Sequence, residues 1–99
     1  MIVTNRHVGS LEKLKNHELL DMNKTLIKMK SLLKKVLKPQ GFNAGLNIGA
    51  CAGAGITNHI HTHLVPRWQG DTNFMPVLAN AKIISQSLSE LYAKCKKKL

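Results

Sequence analysis

Residues 59–65 alternate histidine with apolar or β-branched residues at strict period two. This alternation predicts a β-strand, because successive side chains of a strand point to opposite faces. His59, His61 and His63 would then share one face, with Cα atoms roughly 6.7 Å apart. Pro66 should end the strand, since proline cannot donate to the ladder. The opposite face should pack against a helix or a neighbouring strand, and it carries Ile60, Thr62 and Leu64.

The histidine row has more than one chemical interpretation. Three imidazoles on one face form a surface that handles protons near neutral pH and can act as a nucleophile. Two histidines at i and i+2 could also hold zinc, with Asp71 or Cys51 as further ligand. The third histidine would lie about 13 Å from the first, too far to join the same ion without bending the strand. Packing alone explains such a row poorly.

The remaining pattern predicts an α+β fold with an antiparallel sheet. A short β-prone run at 1–4 precedes a long amphipathic helix at about 16–38, whose apolar residues recur at three-to-four spacing. Asn16 can cap that helix, Glu18 suits its first turn, and residues 39–41 (Pro-Gln-Gly) stop it. Further elements are a strand at 42–48 with one buried apolar face, a glycine loop at 49–55 and a C-terminal helix at about 80–97.

Charge and composition limit the classes of partner that the chain is expected to bind. The chain has 99 residues, enough for one domain, and 15 Lys and Arg against 5 Asp and Glu give a net charge of +10, which favours polyanionic ligands. With only 4% aromatic residues, base-stacking surfaces are scarce and nucleic acid is not the expected partner. We find no apolar stretch of membrane-spanning length and no secretory run, which indicates the cytoplasm. Cys51 and Cys95 read as free thiols.

The glycine loop continues to Ile56 and consists of small residues, Gly-Ala-Cys-Ala-Gly-Ala-Gly. Backbone amides of such a loop can approach an anion closely. The loop matches neither the dinucleotide-binding pattern nor the P-loop. A plain turn is the simpler interpretation of the loop alone, but its nearness to the histidine row favours a combined site of amide donors and imidazoles.

Several separated segments resemble one known family. Residues 59–65 are similar to the His-φ-His-φ-His-φ-φ signature of the histidine triad superfamily, nucleotide hydrolases and transferases that attack an α-phosphate. Residues 5–8 resemble its Pro-x-[RK]-His-[VI] segment and residues 47–49 its Asn-x-Gly. Residues 66–74 resemble the Pro-Arg-Trp-x-Gly-Asp-x-Asn-Phe of diadenosine polyphosphate hydrolases and phosphorylases. The motifs follow the family's order along essentially the whole chain.

The resemblance implies a role for each matching residue. His61 would be the nucleophile that forms a covalent nucleotidyl-histidine, and His63 would contact phosphate oxygens. His59 would fix the tautomer of the nucleophile, with His7 reaching it from the neighbouring strand, and Asn47 would lie near the phosphate. The loop amides that would cradle phosphate oxygens belong to Gly53, Ala54, Gly55 and Ile56. No metal ligand is required of the protein, and magnesium would enter only with the polyphosphate.

The departures from the family pattern affect two expectations. Ala54 and Gly55 stand where other branches carry Gln followed by Ser or Thr, which shifts the leaving-group role to backbone amides and fits the polyphosphate branch. Family members also carry strands and much of the nucleobase pocket before the segment matched by residues 5–8. We therefore expect residues 1–99 to form a single, N-terminally truncated domain whose exposed edge is covered by a second copy, as a homodimer.

The resemblance implies cleavage of dinucleoside polyphosphates such as diadenosine tetraphosphate, by hydrolysis or phosphorolysis. Two alternatives remain open. The shortened chain could bind nucleotides with weak or no catalysis, or it could act as an adenosine phosphoramidase.

Overall fold

The computed structural model describes residues 1–55, 59–71 and 87–99, and it has the expected α+β architecture. Three antiparallel strands form one sheet in the order β1-β3-β2. A long helix and a C-terminal helix accompany the sheet, and two 3₁₀ turns lie in the connections. The elements are β1 (Ile2–Val3), α1 (Asn16–Leu37), β2 (Gly41–Leu46), β3 (His61–Arg67) and α2 (Leu88–Lys98), with the 3₁₀ turns at Leu11–Lys13 and Ala50–Ala52.

The central strand β3 continues further than its sequence predicts. Pro66 pairs with Phe42 inside the β2–β3 ladder, so the prediction that this proline ends the strand was wrong. On its other side, β3 meets β1 only at His61 and Thr62. Among the described residues, the later part of β3 is thus an open edge on that side, where a residue without an N–H group is tolerated.

The ladder divides the sheet into a histidine face and a helix face. Leu46 lies opposite Thr62, and both line an apolar cavity of about 290 Å³ that separates the sheet from α1. The expectation that this side of β3 meets a helix is therefore confirmed. The expected burial of the apolar side of β2 was wrong, since Leu46 remains 36% exposed. Helix α1 lies across this face without filling the space above β2. Ile48, which falls after the end of β2, is 60% exposed.

Helix α1 has the predicted length and a cap shifted by one residue. Asn16 is its first helical residue, and Lys15 holds the N-cap position that we expected Asn16 to take. The Glu18 carboxylate instead supplies a hydrogen-bond acceptor for a free amide at the start of the helix, because it accepts a 2.9 Å hydrogen bond from the Lys15 amide. Lys38 ends the helix in the left-handed conformation, just before Pro39.

The C-terminal helix α2 begins at Leu88, inside the expected range of about 80–97. Ser87 is its N-cap and accepts a 3.2 Å hydrogen bond from the Glu90 amide. Residues 80–86 of the predicted helix lie outside the described residues. Helix α2 packs against α1, and its half-buried residues Leu91 and Cys95 are one helical turn apart. No helix of the part of the chain that the structure describes is long and apolar enough to span a bilayer.

An ion pair ties the segment after β1 to the start of α1. Arg6 contacts the Glu18 carboxylate at 2.6 Å and donates a second hydrogen bond of 2.9 Å to the Lys13 carbonyl. The hydrogen bond from Arg6, together with that from the Lys15 amide, lowers the pKa of Glu18 to about 2. The residue next to Arg6 is His7, so this anchor fixes the backbone that carries a predicted site residue.

The glycine loop between β2 and β3 is a tight turn that its glycines make possible. Gly49 and Gly53 have φ angles of 85° and 95°, which disfavour any residue with a Cβ atom. The Gly53 amide donates to the Ala50 carbonyl at 3.0 Å, and the Ala54 amide donates to the Gly49 carbonyl at 3.2 Å. These two bonds close the loop on itself.

We expect Glu18→Gln to lower the free energy of unfolding at neutral pH, because the amide carries no charge to pair with Arg6. A carboxyl group whose pKa falls on folding stabilises above its unfolded pKa, near 4.5, and loses this contribution as the pH falls towards about 2. The difference from the wild type should therefore shrink over that range, as measured by urea unfolding at a series of pH values. Glu12→Gln is the control, and an equal loss there, or no change with pH, would contradict the assignment.

We expect Gly53→Ala to destabilise the protein by about 1–2 kcal/mol, because a left-handed alanine is strained. Its Cβ atom would also lie 3.3 Å from Nδ2 of Asn47. Gly55→Ala is the matched control, since a Cβ atom there meets nothing within 4 Å. Thermal unfolding of both variants tests the prediction, which fails if they lose the same stability.

Candidate active site

The predicted histidine row is divided into two ring pairs. His61 and His63 lie on β3 with ring centroids 4.8 Å apart, in an edge-to-face arrangement. His59 precedes the strand, so the expectation that one strand carries all three histidines was wrong. Its ring lies against His7 instead, with centroids 5.1 Å apart. The structure thus brings together all four predicted histidines, as the two ring pairs His7–His59 and His61–His63 and not as a single row.

Main-chain carbonyl groups orient the rings of His59 and His61. His61 is only 7% exposed, and its Nδ1 atom lies 3.0 Å from the carbonyl oxygen of His59. A carbonyl oxygen can only accept, so Nδ1 carries the proton and Nε2 of His61 keeps its lone pair. In the same way, Nε2 of His59 donates to the carbonyl oxygen of Thr4 at 2.9 Å. The geometry thus identifies Nε2 as the nitrogen of His61 that carries the lone pair in the neutral ring.

His7 reaches the site from a segment that follows β1, and not from a strand as expected, since β1 ends at Val3. The Ile60 amide donates a 2.7 Å hydrogen bond to the Val8 carbonyl, which holds the segment beside the approach to β3. Val8 and Ile60 are 2% and 6% exposed and belong to one apolar cluster. The His7–His59 contact therefore rests on a buried support.

Asn47 lies between the end of β2 and the loop. Its Nδ2 atom donates a 3.4 Å hydrogen bond to the Gly53 carbonyl. Because the Gly53 and Ala54 amides already bond within the loop, they are not free to cradle an anion as expected. Of the other two amides expected in that role, Gly55 belongs to the exposed end of the loop, and Ile56 lies outside the described residues.

The residues after the histidines form a fixed turn that we did not anticipate from the sequence. Arg67 makes two hydrogen bonds to the Asp71 carboxylate, of 2.5 and 2.8 Å, and a third of 2.8 Å to Oδ1 of Asn43. Asp71 also accepts from the Trp68 amide, and Gly70 supplies a φ angle of 75°. The i,i+4 spacing of an arginine and an aspartate around a glycine is the sequence signal for this turn.

An open groove with both polar and apolar lining residues lies beside the histidine pair. It has a volume of about 390 Å³, and His63, Asn47 and Asn43 are its polar side chains. Gly45 lies directly opposite His63 in the ladder, so no side chain covers the groove there. His63 connects the groove to His61, because the two rings lie 4.8 Å apart.

Within residues 1–55, 59–71 and 87–99, no three histidine, cysteine or acidic side chains are placed to hold one metal ion. Asp71, which the zinc interpretation would have used, is bound to Arg67. Cys51, the other residue named for zinc, is exposed in the loop. The described geometry is that of imidazoles held by carbonyl groups beside an open groove.

Comparison with known proteins agrees with this arrangement. The chain is 40% identical over 90 residues to an AP-4-A phosphorylase of Mycobacterium tuberculosis, covering 91% of this chain and 46% of that protein. It is 30% identical over 71 residues to the asymmetrical bis(5'-nucleosyl)-tetraphosphatase of Schizosaccharomyces pombe, covering 72% and 38%. The crystal structure of a Hit-like protein from Bartonella henselae has a TM-score of 0.71 at 20% identity, over 98% of this chain and 67% of that one.

The chain spans about half the length of these Mycobacterium tuberculosis relatives. The model of one domain family covers most of the chain, residues 1–70, which include all four site histidines. The family match, the two sequence relatives and the shared fold point in the same direction. The chain belongs to the HIT domain family.

Proposed function

We propose that this chain cleaves dinucleoside polyphosphates of the diadenosine tetraphosphate type at the α-phosphate. The observation that carries the proposal is the 3.0 Å hydrogen bond from Nδ1 of His61 to the His59 carbonyl, which leaves Nε2 as the lone-pair nitrogen. The names of the two relatives, a phosphorylase and a tetraphosphatase, support this substrate class. A net charge of +10 favours a polyanionic substrate by long-range attraction.

The proposed reaction has two displacements. Nε2 of His61 attacks the α-phosphorus, an N–P bond forms, and the P–O bond to the remaining polyphosphate breaks. Water or inorganic phosphate then attacks the same phosphorus and breaks the N–P bond, which restores the imidazole. With diadenosine tetraphosphate, water yields AMP and ATP, whereas phosphate yields ADP and ATP.

The neighbouring groups have separate proposed roles. His63 contacts the nonbridging phosphate oxygens, because its ring lies 4.8 Å from that of the nucleophile. His59 holds the tautomer of His61 through its carbonyl group, and His7 supports His59 by ring contact. Asn47, with the amides of Gly55 and Ile56, would donate to phosphate oxygens. Any magnesium ion would arrive with the polyphosphate, and a homodimer is the assembly we propose.

Two other functions make different predictions in the same assay. A nucleotide-binding module without catalysis would bind diadenosine tetraphosphate and release no product. An adenosine phosphoramidase would cleave the P–N bond of adenosine phosphoramidate in preference to the polyphosphate. Chromatography of the products from both substrates, with and without inorganic phosphate, distinguishes the three.

We expect His61→Ala to lower kcat for diadenosine tetraphosphate by about 10⁴-fold or more, because the variant lacks the nucleophile. Mass spectrometry of the quenched wild-type reaction should show one added adenylyl group on the peptide containing residue 61, and the variant should show none. His17→Ala is the control, since His17 is exposed on α1. Retained nucleotide binding without wild-type turnover would support the inactive module instead.

We expect His7→Ala to lower kcat by up to about 10²-fold with little change in KM, since loss of the ring contact lets His59 and the carbonyl that orients His61 shift. The same variant should change the nitrogen-15 chemical shifts of the His59 ring. An equal fall in stability and activity, with an unchanged His59 signal, would argue that His7 is only structural.

A further inference from the structure

The histidine face of the sheet continues beyond His63 as an open track that carries the Asn43 amide and the exposed side chain of Val65. In the β2–β3 ladder, Gly45 lies opposite His63 and Asn43 lies opposite Val65. One step of this pattern covers two residues, or about 6.8 Å along the sheet. The 390 Å³ groove follows the same path, since all four residues line it. The track leads away from the proposed nucleophile towards Arg67.

The amide group of Asn43 is held in one orientation on this track. Its Oδ1 atom accepts a 2.8 Å hydrogen bond from Arg67, which the Asp71 carboxylate holds in turn. Because the oxygen is occupied, the NH₂ group of Asn43 is the side that remains to donate. No other described residue bonds to that NH₂ group. A donor with fixed orientation and no partner among the described residues is suited to binding a ligand acceptor.

Gly45 leaves the track open between this donor and the histidines. A Cβ atom at Gly45 would meet nothing within 4 Å, so the surface there is bare backbone. Asn47 borders the groove on the side of His61. An extended anion lying against Gly45 could therefore contact His63 at one end and Asn43 at the other.

We propose that Asn43 binds the phosphates that follow the α-phosphate and thereby selects substrates with a polyphosphate chain. This inference rests on the proposed function, since it places the reacting α-phosphate beside His61. Phosphate oxygens accept hydrogen bonds from the Asn43 amide, and the bond is charge-assisted because the phosphate is ionised. The positive charge of the chain adds attraction without selecting chain length.

The first test compares kcat/KM for diadenosine tetraphosphate with that for adenosine phosphoramidate, which has no phosphate after the first. We expect Asn43→Ala to lower the ratio of the two values about 10-fold, and Asn43→Asp to lower it further by charge repulsion. Gly45→Val, which places a side chain across the track, should act in the same direction. Asn23→Ala, on α1, is the matched control and should leave the ratio unchanged. An unchanged ratio in Asn43→Ala would overturn the inference.

A second test separates the inference from the proposed function. Calorimetry on His61→Ala protein measures binding of diadenosine tetraphosphate and of AMP without turnover. Adding Asn43→Ala should weaken binding of the tetraphosphate about 10-fold relative to AMP. Equal weakening for both ligands, or none, would overturn the role of Asn43. If Asn43→Ala weakens tetraphosphate binding in this way and the wild-type protein shows no turnover, only the proposed catalysis is contradicted.

Discussion

The antiparallel ladder between β2 and β3 decides which side chains can meet at the site. Its register sets Gly45 opposite His63 and Leu46 opposite Thr62, so neighbouring pairs face opposite sides of the sheet. A slip of one residue would turn each side chain to the other face. His61, the proposed nucleophile, and the groove lined by His63 then could not share a surface. The chemistry of this chain therefore depends on strand pairing before it depends on any single histidine.

Backbone carbonyl groups orient the imidazoles of His59 and His61 in the way that side-chain carboxylates orient histidines in many enzymes. The carbonyls of Thr4 and His59 each accept a hydrogen bond from an imidazole. A carbonyl oxygen does not titrate, so these bonds persist at any pH at which the backbone keeps its place. The segment that contributes Thr4 is held in turn by the Arg6–Glu18 pair. Tautomer control in this site is thus a property of the main chain.

Periodicity in the sequence was sufficient to predict a strand that carries His61 and His63, and the long helix, because alternation and three-to-four spacing reflect which side of an element is covered. It could not predict the tolerance of Pro66, which depends on how far β1 extends along β3. Nor could it show that the Gly53 and Ala54 amides bond within their own loop. These features follow from pairings between distant segments or from local closure, which leave no period in the sequence.

The motif of residues 66–71 shows how far a resemblance alone reaches. Its residues match a branch of the family. The structure shows in addition that Arg67 and Asp71 close a turn, and that Arg67 holds the side-chain amide of Asn43. A pattern of letters does not reveal a bond to a residue 24 positions away. Sequence reasoning therefore found the ends of the network and missed Asn43, the member that lies in the groove.

The distribution of acidic residues completes the electrostatic argument for a phosphate ligand. No aspartate or glutamate occurs between Asp21 and Asp71, the stretch that contains β2, the glycine loop and β3. The carboxylate of Asp71, which ends this stretch, is paired with Arg67, and its hydrogen bonds and its charge raise the pKa of that guanidinium. A phosphate that approaches His61 along the groove thus meets imidazoles and amides and no unpaired carboxylate from this stretch. Neutral donors can then recognise individual oxygens, while the excess of lysines elsewhere supplies the attraction.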